Sequence, residues 1–326
     1  MKRKILTLIL SLLLVFVAVG CENKTQRRKT VRFDGTETNT TSSKTSSSSS
    51  TTRSNSTTGS SNSSTSYTIT YVSGGYYLDN FPIKTFATDS VSVGKIRSYY
   101  SSFDWSNIST LSQTSLITSV KSLLKSTATK LSSQTYKGLS TTFLSADAVP
   151  TNSTKMRLFY SHDIVNAKYS GGGWNREHVY AKSIGGYTED DTPSQDLHDM
   201  RPTYIQVNST RGNSPFGLVQ NRDSHKVMSD RNNLVSGYKN GNVFEPIDEV
   251  KGDVARCIFY ICVMYYNEYE IDILKMIAAR DVNLFLKWNR EDPVDEYEIF
   301  RNNVVQGIQG NRNPFIDFPD LADYIW

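Results

Sequence analysis

The chain has 326 residues and a formal net charge of +4, a length that is long for one compact domain and short for two large ones. The charge is uneven: residues 1–66 hold ten Lys and Arg against three Asp and Glu, whereas residues 67–326 hold 26 against 29. The basic balance therefore belongs to the leader and tail. It excludes a folded part that binds polyanions through bulk charge, so any such surface must be a local patch of Arg and Lys.

Lys2-Arg3-Lys4 followed by the apolar run Ile5 to Val19 predicts a signal peptide over residues 1–20. The run is too short and wrongly flanked for a transmembrane helix. Ala18-Val19-Gly20-Cys21 resembles the cleavage box of bacterial lipoproteins, which predicts lipidation at Cys21 and an outward-facing anchor in the cell membrane, or secretion if Cys21 is left unmodified. Residues 21–66 read as a tether. From Thr36 to Ser66 there is no aliphatic or aromatic residue to offset the entropy of ordering, so disorder is expected.

Folded structure is expected over residues 67–326. Tyr67 to Val72 alternates like a strand, and the apolar stripe Leu111, Leu116, Ile117, Val120, Leu123 and Leu124 predicts a helix within Asp104–Ser133. Met156 to Tyr160 reads as a strand, and Gly171–Gly173 as a turn into a second extended run, Trp174–Ala181. Pro202 is placed to start a helix carrying Val207, Asn208 and Arg211, ended by Gly212-Asn213-Ser214-Pro215. Val254–Tyr266, Ile271–Ala279, Val282–Trp288 and Glu296–Ile308 are helical in character. Cys257 and Cys262, five apart on a helix, face different ways and read as buried thiols. The fold class is α+β, a mixed and largely helical domain.

The chemistry gathers between Arg176 and Arg211. Glu177 offers a hard oxygen suited to magnesium, manganese or calcium. Neutral His178 can take a proton from water near neutral pH. On a regular strand the two would face opposite ways, and a charged strand end is the plain alternative. Asn208 adds a neutral oxygen ligand, and Arg176, Arg201 and Arg211 can each fork onto a phosphate. No HExxH zinc motif and no G-x-S-x-G nucleophile elbow is present in the sequence.

Four ordered motifs then carry a resemblance: Trp174-Asn175-Arg176-Glu177-His178-Val179, Asp196-Leu197-His198-Asp199-Met200-Arg201-Pro202, Val207-Asn208-Ser209-Thr210-Arg211-Gly212-Asn213, and Gln309 to Asp317. Together, from about Tyr160 onward, they resemble the bacterial endonuclease I family, exported sequence-nonspecific nucleases with a ββα-metal (His-Me finger) site. The resemblance implies His178 as the general base, Glu177 and Asn208 as ligands of one divalent metal (magnesium first, manganese or calcium otherwise), and products with 5′-phosphates. Position and chemistry add Arg211 as a catalytic phosphate contact, Arg176 and Arg201 as substrate-binding, and His198 and Asp199 as residues that orient the site. Two departures stand out: Ala181 where a proline is common, and Asp199 where some members have Asn or His. The expected substrate is DNA, with RNA as a second, and no obligate protein partner is implied. The rival is a surface lipoprotein that binds nucleic acid without cutting it; intact Glu177, His178 and Asn208 speak against decay of the site.

Overall fold

The computed structural model describes residues 69–72, 75–78, 81–169, 173–229 and 231–326. The expected signal peptide, Cys21, the tether, Tyr67, Thr68, Gly171 and Gly172 lie outside the described residues. Four small antiparallel sheets and a set of helices make up the described part.

The first sheet joins β1 (Ile69–Val72), β2 (Gly75–Leu78) and β3 (Lys84–Thr85). Two helices follow, α1 (Ser90–Tyr99) and α2 (Gln113–Thr127), each opened by a side-chain cap: Asp89 accepts from the amides of Val91 and Ser92, and Ser112 from that of Ser115. The predicted helix within Asp104–Ser133 is thus shorter than its window, followed by a 3-10 turn at Leu131–Ser133. Next come α3 (Leu139–Ala146) and a sheet of β4 (Ala148–Val149), β5 (Asn152–Arg157) and β6 (Ile164–Asn166). The strand expected over Met156–Tyr160 therefore ends at Arg157. Beyond it Leu158 and Phe159 turn away, their amides donating to Asp163 O and Pro202 O.

The central ribbon pairs β7 (Trp174–His178) with β8 (Met200–Tyr204), with α4 (Lys182–Gly185) in the connection and α5 (Ile205–Arg211) directly after. Pro202 does not start a helix. It lies within β8 opposite Arg176, and α5 begins three residues later. A proline is tolerated there because β8 ladders with one strand only and can spare an N–H on its outer edge. Gly212, at φ 59°, ends α5 as expected.

The last sheet orders β11 (Val243–Glu245), β10 (Val235–Asn240) and β9 (Lys226–Met228). The helical end of the chain comprises α6 (Lys251–Met264), α7 (Asn283–Glu291), α8 (Glu296–Gln309), α9 (Pro314–Asp317) and α10 (Leu321–Ile325). Residues 271–279 form only a 3-10 turn, Ile273–Met276, after which Ile277 bridges to Phe216 instead of continuing a helix. Every residue of α6 is buried, so it is the axis on which α2, α7 and α9 pack. Cys257 and Cys262 are free and buried on it, as read.

Buried ion pairs tie this layer to the ribbon. Arg256 on α6 forks onto Glu298 on α8 at 2.8 and 2.7 Å. Arg301 on α8 forks onto Asp147 and also donates to Leu197 O (2.8 Å) and Met200 O (3.0 Å), fixing the entry to β8. The Gln309-Gly310-Asn311 stretch grips the same entry. Gln309 accepts from the Leu197 amide (3.0 Å) and donates to Asp196 (2.8 Å), while Nε2 of His198 meets Asn311 O at 3.3 Å. The motif at the end of the chain is thus a buttress. Among the described residues no helix is long and apolar enough to cross a membrane.

Candidate active site

The β7–β8 register runs without a shift from Trp174 opposite Tyr204 to His178 opposite Met200. Strand alternation is therefore strict, placing Trp174, Arg176 and His178 on one face and Asn175 and Glu177 on the other. Helix α5 closes the second face. Nδ2 of Asn208 donates to Oδ1 of Asn175 (2.8 Å) and to Arg176 O (3.0 Å), and Arg211 pairs with Oε1 of Glu177 at 3.2 Å. The first face meets α3 and the segment before it. Trp174 packs on Phe143, and Arg176 donates to Tyr136 O (3.0 Å) and Ser140 Oγ (3.2 Å). The two adjacent residues thus serve different sides of one strand.

Glu177 is 2% exposed. Its Oε1 takes the Tyr160 hydroxyl (2.8 Å) besides Arg211, and burial still holds its carboxyl above the usual carboxylate range. Oε2 receives no hydrogen bond from any described residue. The same holds for Oδ1 of Asn208, because both of that side chain's bonds are made through Nδ2. The face shared by Glu177 and Asn208 therefore keeps two hard oxygens uncommitted. No group of three or more His, Cys, Asp or Glu that could hold a metal exists among the described residues. A carboxylate and an amide oxygen suit a sparsely liganded, largely hydrated ion such as magnesium, and not a nitrogen- and sulfur-bound zinc.

His178 ends β7. Burial, then Lys182, Arg211 and Arg176, push its imidazole down to about 3, so it is neutral at ordinary pH. Its Nε2 is buried without a hydrogen-bond partner among the described residues.

The arginines divide. Arg176 is half-buried and lies over the Tyr136 ring, with Cζ 4.0 Å from the centroid. Arg211 and Arg201 are not where phosphate contact requires them. Arg211 is 1% exposed and spends its guanidinium on Glu177, His178 O (3.0 Å), Val179 O (2.8 Å) and Gly212 O (3.1 Å). Arg201 is 2% exposed, lies over Phe159 and sits 3.5 Å from Asp147 and 3.8 Å from Asp253. Both hold the scaffold in this structure. His198 and Asp199 are buried, and Asp199 accepts from the Tyr180 amide at 2.7 Å, just past His178.

Sequence reasoning passed over Asn175, Tyr136, Tyr160 and Tyr187. Asn175 was open to discovery, since it lies two residues before Glu177 and so on the same face. Tyr160 and Tyr136 reach the site from 17 and 42 positions before Glu177 and His178, with no local signal.

The family described as Endonuclease I matches residues 114–320, a span that contains the whole ribbon, α5 and the buttress. Fold and match together define the class: a nucleic-acid phosphodiester hydrolase. The chain belongs to the Endonuclease I family. It is 40% identical over 213 residues to an extracellular ribonuclease of Bacillus amyloliquefaciens, covering 61% of this chain and 69% of that protein. With the extracellular ribonuclease of Bacillus subtilis it shares 38% over 193 residues, 55% of this chain and 64% of the relative. A periplasmic deoxyribonuclease of Aeromonas hydrophila is 28% identical over 136 residues, 42% and 53% of the two chains. The match thus spans between about half and two thirds of these relatives.

Proposed function

We propose that the protein is an exported, metal-dependent endonuclease that cuts DNA and RNA without reading sequence. The observation that carries this reading is the division of β7: uncommitted oxygens of Glu177 and Asn208 on one face, a neutral imidazole, unbonded at Nε2, at its end. Strand pair and helix then correspond to a ββα-metal (His-Me finger) unit.

Glu177 and Asn208 would hold one divalent ion, magnesium by preference, and His178 would stay off it. Such an ion, when bound, neutralises charge on the phosphate and on the departing 3′ oxygen. The chain's own residues supply the rest. His178 accepts the proton of the attacking water, which its neutral form can do at any ordinary pH. Burial first, and then three neighbouring cations, make that proton hard to hold, and the incoming phosphodiester offsets the cations with its negative charge. Arg176 acts on the imidazole and retains partial exposure, and it serves the substrate. Arg211 keeps Glu177 and the end of β7 in place. Expulsion of the 3′ oxygen leaves 5′-phosphate products. Contacts confined to phosphate carry no base information, which fits the mixture of relatives named ribonuclease and deoxyribonuclease. Anchoring through lipidated Cys21 is proposed from Ala18-Val19-Gly20-Cys21 alone.

Incubation of the purified protein with plasmid and with RNA, in magnesium and in chelator, tests the reading. Cleavage of both in magnesium, lost in chelator and in His178→Ala, is expected; cleavage by His178→Ala would overturn the assigned base.

A further inference from the structure

Nε2 of His178 is buried with no hydrogen-bond partner among the described residues, so the hydrogen bond that usually fixes a catalytic imidazole is missing at that nitrogen. Aromatic rings flank it instead. Tyr136 lies almost parallel to it, 13° between planes and 5.6 Å between centroids, and Tyr187 is tilted by 58° at 6.1 Å. Tyr187 is itself locked, its hydroxyl donating to Tyr180 O at 2.7 Å. Tyr136 is different. It is half-buried, and no described residue hydrogen-bonds to its hydroxyl, yet its ring also carries Arg176 at 4.0 Å and has Lys182 Nζ at 5.7 Å.

We propose that Tyr136 is a positioning residue that sets the plane of the His178 imidazole and seats Arg176 beside it. This rests on His178 being the general base. An imidazole turns about its outer torsion within a broad well, so without a hydrogen bond at Nε2 a flat neighbour must restrain it. A nearly parallel ring with its centroid 5.6 Å away limits that turn, and its electron-rich face favours the two cations next to it. The ring is the active feature; the hydroxyl is not. This also gives the loop before α3 a part in the chemistry.

The test uses the full chain with Tyr136→Leu and Tyr136→Phe, each checked by circular dichroism. The leucine variant is expected to lose kcat by roughly 10- to 100-fold, as misorientation of a reacting group predicts, with a smaller rise in KM from the loosened Arg176. The phenylalanine variant should recover kcat to within about threefold of the parent. Equal losses in the two variants, an unchanged kcat in the leucine variant, or a change confined to KM would overturn the proposal. Tyr136→Met, also non-aromatic, serves if the leucine variant does not fold. His178→Ala is run alongside. If it still cleaves, the base assignment fails and this inference with it; if it is dead while Tyr136→Leu is normal, only the inference fails.

Discussion

Arg211 offers the sharpest test, because position and chemistry assign it to phosphate whereas the structure buries it. Replacing it with Met keeps length and apolar packing but leaves Glu177 with Tyr160 as its sole remaining partner and strips donors from His178 O, Val179 O and Gly212 O. A lone buried carboxylate takes up a proton, and that bounds the cost. At about 1.36 kcal/mol per pH unit from an unfolded value near 4.3, protonation costs about 4 kcal/mol at pH 7 and about 1 kcal/mol at pH 5. These are upper figures, since Glu177 already sits above its usual range. The sign follows from linkage: the folded variant binds a proton that the unfolded chain does not, so its stability falls as pH rises. Lost carbonyl bonds add about 1 kcal/mol each at either pH. Urea denaturation in chelator at pH 5 and pH 7, each against the parent, should therefore show a deficit larger at pH 7 by up to about 3 kcal/mol. A deficit equal at the two pH values, or a variant of normal stability with raised KM, would refute the buried-tie account and return Arg211 to the substrate.

Glu177→Gln and Asn208→Ala should each raise the magnesium concentration needed for half-maximal cleavage by about tenfold or more, and an unchanged metal titration would remove them as ligands. With magnesium saturating throughout, log kcat/KM should show no acid limb near pH 6.5, because an imidazole held near 3 is already unprotonated there; a one-unit-per-pH fall below 6.5 would contradict its buried state. Gly310→Ala should destabilise the fold by about 2 kcal/mol or more, since Gly310 has φ 102° and a Cβ there would lie 2.2 Å from Thr127 O. Calorimetry decides that case, and a shift below about 1 °C would be inconsistent with it.

Much of this candidate site could be read from one dimension because its residues are close in sequence, and the family resemblance supplied the roles expected of them. Glu177, His178 and Asn208 share the β7–β8–α5 unit. Helix α8 was legible because its apolar positions recur at helical spacing, and α6 because its run is dense in aromatic and aliphatic residues. Pro202 misled because a proline suits a first helical turn and an edge strand equally, and the choice is made by pairing with Arg176. Arginines were the least legible. Arg176, Arg201 and Arg211 look alike in sequence, and burial is decided by carboxylates such as Asp147, 54 positions from Arg201. The tyrosine beside the imidazole was hidden for the same reason.

The grip of Gln309 and Asn311 on Leu197, Asp196 and His198 joins segments more than a hundred positions apart. The entry to strand β8 is held by residues near the end of the chain, so full stability of the ribbon is expected only once that late stretch of polypeptide has been made. For a nuclease that leaves the cell, as proposed, such timing keeps the unfinished chain harmless to the genome that encodes it.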